Sequence, residues 1–286
     1  MARLILKRLL GGLLILWVIS IVVFVATQTL PGDAAQAILG RESTPARLAA
    51  LRNQLNLNGS PVSQYFHWFT GVIRLDFGTS LANGRPVTTV IGPLLANSLV
   101  LMAIAALIST PIALWLGSWS AMRRDKPVDH ITGAATLVFA AVPEFVTGMI
   151  LIILLATALL KVLPAVYVGT GPAWNHPLQL VLPVAALVLS VGPYIIRSMR
   201  ATMLEVLESQ YVQQARLKGL PERKVILRHA VPNAVGPVVQ VIALQLAYLM
   251  GGVVVIEYLF RYPGIGSELI DSVRNRDLPI IQALTL

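Results

Sequence analysis

Few side chains in this sequence are equipped for metal binding or covalent catalysis. The chain has no cysteine, which excludes disulfides, thiolate metal sites and cysteine nucleophiles. Its four histidines are His67, His130, His176 and His229, and no two of them have the spacing of a zinc site. The phosphate-binding pattern Gly-x-x-x-x-Gly-Lys-Ser/Thr is also missing, so the chain does not hydrolyse ATP by that route. We therefore expect no enzymatic activity and no cofactor in this chain.

One acidic residue stands out by its position. Glu144 is the single charged residue in the apolar stretch 131–160, and Pro143 next to it would loosen helix hydrogen bonding. An acid buried within a membrane is costly and is by default a functional candidate. The residues leave a second interpretation open, in which Glu144 is a protonated carboxyl or a packing partner across a helix interface.

The elements that position these residues are membrane helices. The chain is 56% hydrophobic and 12% charged, with a mean hydropathy of +0.75, whereas soluble domains carry about 25% charged residues. A helix needs about 20 apolar residues to cross a bilayer. Five stretches are long enough: 9–32, 86–122, 131–160, 162–196 and 229–256. A further apolar segment, 278–286, is too short, so we predict an all-α polytopic bundle of five complete transmembrane helices and the start of a sixth.

The distribution of basic residues predicts the orientation. With the N-terminus inside, 13 of the 22 lysines and arginines fall in cytoplasmic segments. These are Arg3, Lys7, Arg8, Arg123, Arg124, Lys126, Arg197, Arg200, Arg216, Lys218, Arg223, Lys224 and Arg228. Basic residues collect in cytoplasmic loops, which also explains the net charge of +9 without nucleic acid binding. The alternative of a cleaved leader is disfavoured because the first apolar run exceeds the usual length of about 7–15 residues.

Two segments are expected on the outside. Residues 31–93 should hold short helices, one after Thr44 with Pro45 at its first position and one over 61–69, followed by a turn over 76–80. Residues 257–279 should hold a turn over 262–266 and a short helix over 267–273.

The segment 197–233 is expected in the cytoplasm and reads as helix, turn and helix. Gly219 follows a helical run, and a turn there favours a residue that tolerates positive φ. The second helix should begin near Pro221 and end before Pro232. Arg197 and Arg200 are expected to anchor the preceding helix at the lipid headgroups. From the residues alone, a protein-docking loop and an amphipathic element on the lipid surface remain equally open.

This loop resembles the coupling loop of ABC importer permeases. Gly219 matches the glycine of that motif and Pro232 its final proline, while Gln213 and Gln214 replace the usual Glu-Ala before Ala215. Further segments resemble the dipeptide and oligopeptide branch of the family in the same order: 30–33, 76–80, 211–220, 229–234, 257–266 and 276–279.

The resemblance implies a single permease domain over 1–286, similar to type I ABC importers, in the cell membrane. It would pair with a second homologous permease subunit, two cytoplasmic ATPase domains that bind ATP and Mg, and an external substrate-binding protein, and it would import short peptides. Nickel, haem or another small solute is a further possible cargo in this branch. One alternative is an ion-coupled secondary transporter, which is disfavoured because no paired intramembrane charges or internal repeats are evident. A membrane scaffold without transport is a second alternative, which the residues leave open.

The resemblance also implies roles for particular residues. The ATPase-coupling residues would be Ala215, Arg216, Lys218, Gly219, Leu220, Pro221 and Glu222. Independently of the resemblance, the position of Glu144 inside a span suggests the hypothesis that the translocation path includes Glu144 and Pro143, with Glu144 meeting the amino terminus of a peptide. The external gate or binding-protein contact would include Glu257, Phe260, Pro263, Gly264 and Gly266.

Overall fold

A computed structural model describes residues 2–29, 44–45, 59–158, 160–169 and 171–286. The chain forms two compact units, one of Met1–Leu95 with Glu268–Leu286 and the other of Ala96–Ser267. Among the described residues the structure is helical, and its only β feature is an isolated bridge between Thr79 and Pro86. The all-α prediction is therefore confirmed.

The first unit is built around the N-terminal helix α1 (Ala2–Thr29). Helix α2 (Pro61–Ile73) starts where the sequence predicted it, because Ser60 caps it by accepting a hydrogen bond from the Ser63 amide and Pro61 occupies the first turn. Phe24 of α1 packs edge-on against Tyr65 of α2 at 5.4 Å between ring centroids. The helix predicted after Thr44 falls on residues 46–52, outside the described residues.

The first unit also contains the beginning of a third helix and two helices from the C-terminal part of the chain. Helix α3 (Val87–Met122) begins here, and α10 (Ile265–Asn275) and α11 (Leu278–Thr285) close the chain. The α11 side chain of Gln282 donates a hydrogen bond of 2.8 Å to Thr27 of α1. The apolar segment after Leu278 is thus helical up to Thr285, which agrees with the predicted start of a sixth helix.

Asp277 ties a turn in the first unit to the start of α11. Its buried carboxylate accepts hydrogen bonds from the Ser80 hydroxyl and from the amides of Leu81 (3.0 Å) and Ala82 (3.2 Å). The predicted turn over 76–80 leads into this contact, with Gly78 at φ +77°. The Asp277 carboxylate therefore supplies an acceptor for two backbone donors of this turn.

The second unit is organised around a long central helix. It contains the rest of α3, then α4 (Pro127–Ala141), α5 (Glu144–Leu151), α6 (Pro177–Leu207), α7 (Gln210–Leu217), α8 (Glu222–Val225) and α9 (Val231–Leu259). Within α6, 61% of the most apolar 18-residue stretch is buried, compared with 28% in the helix that ends with α9. Helix α6 is therefore the central helix against which its neighbours pack. The other long helices expose more apolar surface, which would face lipid or partner proteins.

Within the described residues, four helices are long and apolar enough to cross a membrane, or up to five if one bent pair is counted as a single span. The bent pair corresponds to the predicted third span, which is not one continuous helix. Helices α4 and α5 meet at an angle of 108°. Val142 takes an extended conformation because the ring of Pro143 disfavours helical geometry in the preceding residue, and Pro143 then starts α5 as its N-cap. The position of Glu144 relative to the membrane therefore does not follow from counting residues along one straight helix.

The helical boundaries near the predicted coupling loop also differ from expectation. Helix α6 continues past Arg197 and Arg200 to Leu207, with Pro183 and Pro193 inside it. The second helix of the loop was expected to end before Pro232 but runs on through a π-helical turn, Ile226–Ala230, into α9. A proline is tolerated there because it lies in the first turn of α9, directly after the π turn has changed the hydrogen-bond register.

Replacing Asp277 with alanine should destabilise the first unit. The change removes an acceptor of three hydrogen bonds, and a hydrogen bond to a charged group contributes about 1.5–3 kcal/mol. We expect the free energy of unfolding to fall by about 2 kcal/mol or more, measured by thermal or denaturant unfolding in detergent. Asp271→Ala, at an exposed position of α10, is the control. Equal unfolding midpoints for the two variants would contradict this role of Asp277.

Candidate functional site

The turn between α7 and α8 is closed by a glycine in the left-handed region. Gly219 has φ +73°, and nothing lies within 4 Å of where a Cβ would stand. Its amide donates to the Arg216 carbonyl at 2.9 Å, and the Leu220 amide donates to the Ala215 carbonyl at 3.4 Å. These two bonds form a Schellman motif, which ends α7. Gly219 is therefore required by backbone conformation and not by close packing.

One ion pair braces this turn from within. The Arg216 guanidinium donates two hydrogen bonds, of 2.7 and 3.1 Å, to the carboxylate of Glu222 in the first turn of α8. These bonds raise the pKa of Arg216 above its ordinary value. Arg216 and Glu222 are both partly exposed, so the pair adds little stability but holds the angle between the two short helices.

The loop has a buried face and an outward face. Val212 and Ala215 of α7 pack into a cluster with Met199 and Met203 of α6 and with Ala230. On the outward face Lys218 is exposed, and Leu217 exposes 80% of its side chain. Of the predicted coupling residues, Ala215 is buried against the rest of the protein and Leu220 is half-buried. The others lie at the surface: Arg216, Lys218, Gly219, Pro221 and Glu222.

The break between α4 and α5 gathers polar groups around Glu144. The Ser190 hydroxyl of α6 lies 3.5 Å from the Glu144 carboxylate, and a Cβ on Gly252 of α9 would overlap that carboxylate. The Tyr194 hydroxyl donates to the Ala140 carbonyl at 3.4 Å, one of the carbonyls near the end of α4. Tyr248 of α9 is close enough to interact electrostatically with Glu144 and Tyr194.

These polar groups were missed by the sequence reasoning because each comes from a different helix. Ser190, Tyr194 and Tyr248 are unremarkable within their own apolar stretches, and their proximity depends on how α6 and α9 pack. The one local signal was the glycine pair at 251–252 inside a span, where a small residue permits the approach of another helix.

The loop after α9 is assembled around a buried carboxylate. Glu257 is fully buried and accepts hydrogen bonds from the Ser98 hydroxyl (2.5 Å) and the Gly266 amide (2.7 Å). Ser98 in turn accepts one from the Ile265 amide at 2.9 Å. A Cβ on Gly264 would overlap the Glu257 carboxylate, and a Cβ on Gly266 would overlap Val254, so both glycines allow the loop to close onto α9.

The rest of this loop is held by Asn97 of α3. The Asn97 side chain donates to the Pro263 carbonyl at 2.8 Å and accepts from the Ala173 amide at 3.1 Å. The Tyr262 hydroxyl donates to the Asn97 backbone carbonyl at 2.8 Å. Phe260 is buried, and its carbonyl accepts from the Tyr167 amide at 2.8 Å. Glu257 and Phe260 therefore shape the loop from inside, while Tyr258 and Arg261 are exposed on it.

Arg200 is not oriented to lipid headgroups as the sequence reasoning expected. It forms a two-pronged ion pair with Asp129 of α4, at 2.5 and 2.6 Å. Among the described residues, no group of three histidine, aspartate or glutamate side chains is arranged to hold a metal ion.

Two families of known proteins match adjoining parts of the chain. Residues 109–286 match the family described as binding-protein-dependent transport system inner membrane component, and residues 1–105 match its N-terminal counterpart. The first match includes the coupling-loop candidate, the break at Pro143 and the loop around Glu257.

Curated relatives are similar over the whole chain. The chain is 34% identical over 286 residues to the glutathione transport system permease protein GsiC of Salmonella choleraesuis, covering 100% of this chain and 91% of the relative. It is 34% identical over 283 residues to the probable peptide ABC transporter permease protein y4tP of Sinorhizobium fredii, covering 98% and 90%. The GsiC protein of Escherichia coli strain K12 is 33% identical over 283 residues, covering 99% and 90%.

These matches confirm the resemblance that the loop motifs indicated. Residues from the first helix to the last take part in the similarity, and the membrane-spanning helices agree with an inner-membrane location. This chain belongs to the family of inner-membrane permease components of binding-protein-dependent ABC transport systems.

Proposed function

We propose that this chain is the translocation subunit of an ATP-driven importer that moves short peptides, glutathione among them, into the cytoplasm. The observation that carries this is the end-to-end similarity to permeases named for glutathione and peptide transport. The chain lacks a phosphate-binding loop, so ATP and Mg would be bound by two partner ATPase domains. A second permease subunit would complete the path, and an external binding protein would deliver the cargo.

The ATPase would dock on the segment from α7 to α8. Two short helices at a braced angle, with Leu217 and Lys218 projecting outward, suit insertion into a groove on another protein. The buried contacts of Val212 and Ala215 would pass the motion of this segment to α6 and α9. The segment 197–233 would thus be the cytoplasmic coupling loop, with the N-terminus also inside.

The cargo path would run past the break between α4 and α5. Backbone polar groups at a broken helix cannot face lipid, because each unsatisfied group there costs several kcal/mol; such breaks occur where they are buried in protein or line water. The carboxylate of Glu144 and the hydroxyls of Tyr194 and Tyr248 would offer hydrogen-bond acceptors to a cationic group. An α-ammonium group at the start of a peptide has that chemistry.

The segments 31–93 and 257–279 would lie outside. In this orientation the loop that Glu257 organises would form part of the external gate or the contact for the binding protein, with Pro263, Gly264 and Gly266 setting its shape. Glu257 and Phe260 would contribute by holding the loop, since both are buried.

The decisive test of the function is ATP-dependent uptake. We expect proteoliposomes that hold this chain with its partner permease and ATPases to accumulate labelled dipeptide or glutathione when binding protein and ATP are present. A non-hydrolysable ATP analogue is the control. Uptake that persists without ATP and collapses when the proton gradient is dissipated would favour an ion-coupled carrier instead.

The orientation and the docking site can be tested together in this cysteine-free chain. Leu217 and Val168 expose 80% and 77% of their side chains and lie beyond opposite ends of α6, a helix about 46 Å long. We expect Leu217→Cys to react with a membrane-impermeant maleimide only in inside-out vesicles and to be protected by bound ATPase. Val168→Cys should react only from the outside. The reverse pattern would overturn the proposed orientation.

The role of Glu144 is tested by Glu144→Gln with two cargoes. A hydrogen bond to a charged group is worth about 1.5–3 kcal/mol, so loss of an ammonium contact should raise KM roughly 10- to 100-fold for a free dipeptide. An N-acetylated dipeptide should be transported by both forms alike. Glu205→Gln, at an exposed position of α6, is the control. Unchanged KM and rate with the free dipeptide would assign Glu144 to helix packing.

A further inference from the structure

Asp129 is bonded at every acceptor position of its carboxylate, although it lies in the first turn of a membrane helix. One oxygen accepts hydrogen bonds from the Ser120 hydroxyl and from Arg200 Nε, both at 2.5 Å. The other accepts from a second Arg200 nitrogen at 2.6 Å and from the Asp125 amide at 3.1 Å. The end of α3, the turn after it, α4 and α6 therefore meet at one carboxylate, whose side chain is 4% exposed.

Helix α4 packs against α6, but much of its own surface is exposed in this chain. Only Asp129 and Thr136 are buried among its fifteen residues, and the remaining side chains are partly or fully exposed. The turn before α4 also depends on Asp129, because Asp125 adopts φ +61°, a conformation that is unfavourable for residues other than glycine. The bond from the Asp125 amide to Asp129 holds that conformation.

The two ends of α4 face the two functional elements of the second unit. At its first turn, Arg200 binds Asp129 about two helical turns before α6 ends at Leu207 and α7 begins. Met199 and Met203, which flank Arg200, are packed in the same cluster as Val212 and Ala215 of α7. At its other end, about 20 Å away along a 15-residue helix, α4 stops at the break beside Glu144.

We propose that the Asp129–Arg200 pair is the joint through which the coupling loop repositions α4, and with it the break beside Glu144. The proposal rests on the proposed function. When α7 moves, the end of α6 that packs against it moves too, and Arg200 moves with that end. Asp129 follows Arg200 without changing its orientation, because two hydrogen bonds join the two side chains. Helix α4, which packs on α6, then moves with it, and its far end shifts the break beside Glu144. Asp129 and Arg200 are positioning residues that do not touch the cargo.

An ion pair suits this role better than an apolar contact. Separating a buried carboxylate from its guanidinium partner leaves an uncompensated charge, whereas separating two apolar side chains does not. The pair therefore allows only one relative placement of α4 and α6 and transmits movement in both directions. A purely structural anchor would make the same bonds but would leave the coupling of transport to ATP hydrolysis unaffected when it is weakened.

The test uses the complete reconstituted transporter and two variants. Asp129→Asn keeps the shape of the side chain and removes the charge. The double variant Asp129→Asn with Arg200→Gln also removes the unpaired cation, so it tolerates burial better. The matched control is Glu208→Gln, which breaks the exposed pair between Arg124 and Glu208 (2.8 Å), a link between the same turn and the end of the same helix. The readouts are complex assembly, ATP hydrolysis, and peptide transported per ATP hydrolysed.

We expect both Asp129 variants to assemble and hydrolyse ATP while the peptide transported per ATP falls about fivefold or more, a change typical of lost coupling between sites. The control should keep the ratio of the unaltered complex. An unchanged ratio in either Asp129 variant overturns the proposal, and so does failure of both to assemble, which would make the pair an assembly anchor. If the unaltered complex shows no ATP-dependent uptake, the proposed function fails and not the joint alone.

Discussion

Backbone hydrogen bonding in a solvent that offers no partners is the constraint on which this structure depends. In hydrocarbon, each amide and carbonyl must be satisfied within the chain, so the spanning segments are helices. The places where the helical pattern fails are therefore few and compensated. The break at Val142 and Pro143 has the Tyr194 hydroxyl bonded to the nearby Ala140 carbonyl. The π turn over Ile226–Ala230 lets a helix continue through Pro232 without ending.

Buried acidic side chains hold loops and turns in place where helix packing alone does not. Glu257 gathers the loop after α9, Asp277 fastens a turn to the start of α11, and Asp129 joins the turn after α3 to α6. Each accepts at least one backbone amide, and each is almost fully buried. An acidic side chain offers two acceptor oxygens, so one residue can satisfy donors from several segments at once.

The two elements proposed to act in transport lie at different positions along α6. Its end near Leu207 meets the loop proposed to bind an ATPase, and its middle presents Ser190 and Tyr194 to the break beside Glu144. Helix α6 is the most buried of the long described helices, so in the proposed mechanism a movement at one end would be conveyed to the helices packed on it. The proposed contribution of this chain to ATP-driven transport is therefore mechanical, with ATP hydrolysed by partner subunits.

Composition, periodicity and motif order determined the membrane class, the approximate spans, the turn at Gly219 and the family, because each of these depends on residues close together in sequence. Charge counts predicted an orientation in the same way. The 108° bend at Pro143, the burial of Glu257 and Phe260, and the polar set around Glu144 were decided by tertiary structure. The clearest case is Arg200, whose local sequence suggests a headgroup anchor. Its partner Asp129 lies 71 positions earlier, and only the packing of α4 on α6 brings the two charges together.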